Sequence, residues 1–214
     1  MKQYDYILFD WDGTIAKTLN PWMEALRTTL LKRGYSYTDQ QIGADYSLFR
    51  VRYGELGDDT LDSITNEALA LSAKNVLDVK LYENSTETFL QLRQANKHLG
   101  IVTTSAHPLI EQLLEKHDMT SLFDVIVGGD DVINQKPHAE PILKALDALS
   151  AKKSRTVLVG DSDKDILSAR NAKIDSILFY PPEHAIFHDI SYLNSLEPTY
   201  AIKNYQELGR LFNL

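Results

Sequence analysis

The chain has no cysteine, which excludes disulfide bonds, thiol catalysis and thiolate metal ligands and accords with a reducing compartment. It also lacks any apolar run approaching the roughly 18 residues of a membrane span, so no membrane partner is expected. Positive charge is scarce: 22 Lys and Arg stand against 30 Asp and Glu, a formal net charge of −8. Nucleic-acid binding rests on clustered basic residues, and that class is excluded with them. No internal repeat and no low-complexity segment is visible. Met1-Lys2-Gln3-Tyr4-Asp5 runs into the first candidate strand without a targeting segment, so the expected location is cytoplasmic, as a monomer or homodimer.

What is present suits one domain carrying an insertion: 214 residues, 43% of them apolar. Short apolar runs at 6–9, 100–103, 125–127, 156–159, 176–180 and 200–202 read as strands buried on both faces, because they do not alternate. Helical signals separate them, which predicts a parallel α/β sheet covered on both sides. Asn20 and Pro21 are expected to cap and open a helix that stops at Gly34, and Pro108 and Pro141 to open two more. Residues 15–83 break the rhythm. They are strand-poor, with helical stretches near 22–32, 39–49 and 60–75 and capping-box spacing between Thr38 and Gln41. The expected division is therefore a core of residues 1–14 and 84–214 with a helical cap over 15–83.

Four stretches carry chemistry. Asp10 and Asp12 leave the end of the first strand together in Phe9-Asp10-Trp11-Asp12-Gly13-Thr14, where ligand sites of open α/β sheets are built. A carboxylate such as Asp10 can attack phosphorus, while Asp12 can move protons. Gly13 permits a sharp turn and close approach to a phosphoryl group, and the amides that follow, Thr14 included, can donate to its oxygens. Thr103 and Thr104 end the second strand before a helix, a place for hydroxyls that hold phosphoryl oxygens. Lys136, before Pro137, can neutralise charge beside an aspartyl phosphate. Asp161 and Asp165 lie four residues apart on one helical face, and carboxylates in this number suit Mg²⁺.

In order and spacing these segments resemble the four motifs of the haloacid dehalogenase superfamily, as they stand in phosphoglycolate-phosphatase-like members. The resemblance implies a Rossmann-like α/β core with an inserted α-helical cap of the C1 type. It implies Asp10 as nucleophile and metal ligand, and Asp12 as acid/base and ligand through its backbone carbonyl. Thr103 and Lys136 would act on the phosphoryl group, with Asp161 and Asp165 in or beside the Mg²⁺ shell. Asp12 further points to phosphoryl chemistry over carbon–halogen cleavage, because dehalogenating relatives lack an acid there. The resulting expectation is a Mg²⁺-dependent phosphatase acting on a small phosphorylated metabolite; a phosphomutase and a binding module with a relic site are the alternatives. In the cap, Tyr46 and Arg50 of the 43–50 segment are candidates to meet the leaving group. His184 and His188, in the tail after the fifth strand, are expected to be exposed loop residues without a role.

Overall fold

The six strands are β1 (Tyr6–Phe9), β2 (His98–Val102), β3 (Val125–Val127), β4 (Thr156–Gly160), β5 (Asp175–Phe179) and β6 (Tyr200–Ile202). In this computed structural model, which describes residues 2–38, 41–42 and 57–214, they form one parallel sheet in the order β3-β2-β1-β4-β5-β6. Each strand lies within two residues of the stretch expected for it. The reason is visible in β1: Ile7 and Phe9 enter one apolar layer, while Leu8 enters the layer on the opposite face. With both faces covered, side-chain alternation carries no polarity signal and the strand reads as a continuous apolar run.

The described helices are α1 (Leu19–Lys32), α2 (Asp58–Ser72), α3 (Ser85–Gln94), α4 (His107–Lys116), α5 (Glu140–Ala148), α6 (Asp163–Ala172), α7 (Ile190–Ser195) and α8 (Tyr205–Leu211). Pro108 and Pro141 each stand in a first turn, where no intrahelical N–H is needed. The start of α1 differs from expectation. It opens at Leu19, ahead of Asn20, and its N-cap Thr18 makes no side-chain cap. The Thr18 hydroxyl instead accepts the amide of Gly13 at 3.2 Å, so this cap is diverted to the loop after β1. The Thr38–Gln41 pair does form its capping box, with the Thr38 amide on Gln41 Oε1 at 2.8 Å and the Gln41 amide on Thr38 Oγ1 at 3.2 Å. The remainder of the stretch expected to be helical at 39–49 lies outside the described residues.

Between β1 and α3 the elements described are helices joined by loops. Leu26 and Leu30 of α1 pack on Leu61, Ile64 and Ala68 of α2 in an apolar cluster of their own, separate from those flanking the sheet. One residue from after β5, Phe187, joins that cluster. The two chain crossings between sheet and helices run side by side: Ala16 bridges Leu81 antiparallel, Lys17 N donates to Lys80 O at 2.8 Å, and Tyr82 N donates to Ile15 O at 3.0 Å.

Candidate active site

The strand order reverses at β1, flanked by β2 on one side and β4 on the other, and the crevice beyond such a switch point is where open α/β sheets bind ligands. Asp10 follows the last residue of β1 and Asp161 follows the last residue of β4. Their loops touch because Gly13 has φ of +74° and no side chain; a Cβ there would lie 2.1 Å from Asp161 Oδ2. Beneath them, Tyr205 of α8 donates its hydroxyl to Thr14 O at 2.9 Å. Its ring meets Phe89 edge-on at 5.4 Å, so the last helix buttresses the first motif.

A cleft of about 490 Å³ opens over this switch point. Its floor holds Asp10, Asp12, Thr104, Ser105, Lys136 and Asp161, and its roof holds Leu19, Pro21, Trp22 and Leu69 from α1 and α2. Gly13, Thr14 and Thr103 lie beneath this lining. Thr14 is fully buried with an unpartnered hydroxyl, and Thr103 Oγ1 accepts the amide of Ser105 at 3.1 Å. Arg50 lies outside the described residues.

Lys136 is buried and its Nζ donates to Asp10 Oδ1 and Asp165 Oδ1, each at 2.6 Å, and to Val102 O at 3.0 Å. Asp165 Oδ2 accepts the Ser162 amide at 3.1 Å and its hydroxyl at 2.6 Å, which also caps α6. Burial pushes the Asp10 carboxyl well up; Lys136 opposes the shift, and Asp165, Asp161 and Asp12 add to it. Asp161 is also raised, by burial first, with His188 opposing and Asp165 adding. Burial works against the Lys136 charge, yet Asp10 and Asp165 hold its ammonium above the ordinary value. Oxygens of Asp10, Asp161 and Asp165 fall within 4.8 Å of one another, a concentration of negative charge that favours a further cation beside Lys136.

Two groups were not foreseen in these roles. Ser105 Oγ donates to Asp12 Oδ2 at 2.7 Å, turning that carboxylate along the floor; its signal in the sequence was only its place just after β2. The expectation that both histidines are exposed is overturned. His184 is fully buried, and His188 is about 12% exposed with Nε2 3.1 Å from Asp161 Oδ2. A short 3₁₀ turn, Pro182–Ile186, carries the tail back against the sheet, and the aromatic rings of Phe179, Tyr82 and Phe187 enclose His184.

The switch-point cleft, the paired acids after β1 and the acids after β4 define a hydrolase of the haloacid dehalogenase type. The profile of the haloacid dehalogenase-like hydrolase family matches residues 7–179, and the chain belongs to that family. Among curated proteins it is similar to the phosphoglycolate phosphatase of Colwellia psychrerythraea, 29% identical over 83% of this chain and 84% of that one. It is 33% identical to the pyrophosphatase PpaX of Anoxybacillus flavithermus over 78% of this chain and 79% of that one. The match to PpaX of Bacillus mycoides, at 35%, covers 61% of this chain and 59% of the relative's length. Among solved structures, the haloacid dehalogenase-like protein of Agrobacterium tumefaciens superimposes with a TM-score of 0.83 at 19% identity over 98% of both chains. The corresponding hydrolase of Streptococcus pneumoniae gives 0.81 at 21% identity, over 99% of this chain and 100% of that one. At these identities the solved structures speak to the fold.

Proposed function

We propose that the chain is a Mg²⁺-dependent phosphatase that takes the phosphoryl group from a small metabolite through an aspartyl phosphate on Asp10. The observation that carries this reading is the meeting of Asp10, Asp12, Lys136 and Asp161 on one cleft floor. An Asp10 oxygen attacks phosphorus, and the bond to the leaving oxygen breaks as Asp12 gives that oxygen its proton. Water then attacks the same phosphorus and yields a proton to Asp12. The bond to Asp10 breaks, releasing inorganic phosphate and the free carboxylate.

Ser105 keeps Asp12 turned toward the leaving oxygen, and Lys136 offsets charge on Asp10 and on the phosphoryl group. We assign the phosphoryl oxygens to the end of β2, where Thr104 lines the cleft and Thr103 lies just beneath it. The donor set tests well against Mg²⁺, for Asp10, Asp161 and Asp165 offer hard oxygens only. Asp10, Asp161 and the backbone carbonyl of Asp12 would hold the ion, which supplies charge neutralisation at the phosphoryl oxygens. Asp165, with both oxygens already accepting from Lys136 and Ser162, orients the lysine. Phosphoglycolate and pyrophosphate, named for the relatives, share a phosphoryl group on a compact leaving group, and a cleft of about 490 Å³ takes molecules of that size. We read residues 15–83 as the cap that closes over it.

The test is phosphate release from a panel of phosphorylated metabolites with Mg²⁺, run on wild type and Asp10→Asn. The wild type should turn over one or more of the panel. The variant should retain its fold and lose turnover, because the amide is nearly isosteric but a far poorer nucleophile. Hydroxylamine added during wild-type turnover should tag Asp10, seen by peptide mass. Release by Asp10→Asn at the wild-type rate would overturn the assignment.

A further inference from the structure

Beside the all-oxygen set lies a second group of donors. His188 Nε2 is 3.1 Å and His184 Nδ1 is 3.8 Å from the same atom, Asp161 Oδ2, and one ligand atom from each of the three residues falls within 4.8 Å of the others. An ion bound tetrahedrally with bonds of about 2.0–2.2 Å sets its ligand atoms roughly 3.3–3.6 Å apart. The two separations from Asp161 Oδ2 bracket that range.

His184 Nδ1 is buried and has no hydrogen-bond partner, while Nε2 of the same ring lies 2.6 Å from the Tyr82 hydroxyl. In one tautomer Nε2–H donates to Tyr82 and the Nδ1 lone pair faces the Asp161 carboxylate with nothing between. In the other, Tyr82 donates to Nε2 and Nδ1–H points at Asp161 across a gap too long for a hydrogen bond. Only the first arrangement leaves a lone pair that a cation between the ring and the carboxylate would complete. The first is also how ligating histidines are held, with the far nitrogen donating to an outer partner that fixes tautomer and ring orientation. Burial lowers the His184 ring to about 3, keeping it neutral as a ligand must be. Asp161 and His188 both line the cleft, so an ion has a way in.

We propose that Asp161 Oδ2, His184 Nδ1 and His188 Nε2 form a second metal site, selective for a zinc-type divalent ion and sharing Asp161 with the carboxylate set. Two imidazoles with one carboxylate suit such an ion, whereas Mg²⁺ favours oxygen alone. This goes beyond the phosphatase reading, and its test reads binding independently of turnover.

Co²⁺, which has a visible spectrum and shifts the NMR signals of its ligands, serves as the probe, titrated into the whole chain with Mg²⁺ in excess. The expected result is one Co²⁺ per chain with the ring signals of both histidines shifted. His188→Gln should weaken binding at least tenfold, and Tyr82→Phe, which removes the outer partner, by roughly 10- to 100-fold. His184→Gln removes a buried ring and can fail to fold, so the decision rests on the other two variants and on the wild-type spectrum. No Co²⁺ uptake under these conditions, unshifted histidine signals, or equal affinity in wild type and His188→Gln would each overturn the proposal.

Discussion

The ammonium of Lys136 stands 2.6 Å from the carboxylate of Asp10, although 126 residues separate them in the chain. Both side chains are over nine-tenths buried, so neither has water to replace the other. In Lys136→Met, Asp10 and Asp165 lose their shared cation, and breaking a buried pair in this way costs about 3–5 kcal/mol at neutral pH. Urea unfolding should show that loss, and show it shrinking as the pH falls, since a protonated Asp10 no longer needs the ammonium. Unchanged stability at neutral pH would mean that the pair is not formed.

Ser105 tests the orientation of Asp12. A hydrogen bond to a charged group is worth about 1.5–3 kcal/mol, so losing it in Ser105→Ala should lower kcat by roughly tenfold or more on an aryl phosphate. KM should change less. An unaltered kcat would show that Asp12 is oriented by something else.

The raised carboxyls make the metal-free protein sensitive to base. Asp10 and Asp161 have folded-state values above those of the unfolded chain, burial being the leading cause. The folded state therefore binds more protons, and stability is lost as pH rises from the ordinary carboxylate range through the raised values. A divalent cation takes the place of those protons. Mg²⁺ at 100 times its pH 8 Kd should stabilise by about 2.7 kcal/mol at that pH, and the same concentration should raise Tm less at pH 5. Equal rises at both would contradict a site built on these carboxylates.

His184 acts in the opposite direction. Burial depresses it from 6.5 to about 3, so the unfolded chain binds the extra proton between those limits. Stability should then fall as pH drops from 6.5 toward 3, by up to about 1.4 kcal/mol per pH unit from this group. In chelator, wild type should show this acid slope in urea unfolding and His184→Gln a shallower one. Identical slopes would place the ring in water.

The strands and the acidic motifs were legible because local pattern decides them: a strand covered on both faces is an apolar run, and Asp10 and Asp161 sit where such runs end. The start of α1 was not, because Thr18 gives its hydroxyl to Gly13, a contact that capping rules within one helix do not describe. Ser105 was legible as a polar residue after β2 but not as the partner of Asp12, 93 residues away. His184 looked exposed because Pro181, Pro182 and Glu183 mark a surface turn; its burial comes from Tyr82, Phe179 and Phe187, brought together only by folding. The 43–50 segment, where Arg50 was expected to meet substrate, lies outside the described residues.

The two crossings paired at 15–17 and 80–82 hold the ends of the intervening helices side by side, like the two sides of a doorway. Doubling the length of chain between fixed ends costs only about 0.6 kcal/mol. Helices can thus be lengthened, traded or pared back there while the sheet keeps its register, since among the described residues no strand of the sheet lies between the two crossings. The floor that carries the paired acids and the roof built by α1 and α2 are in this sense separately heritable, and one can drift while the other stands still.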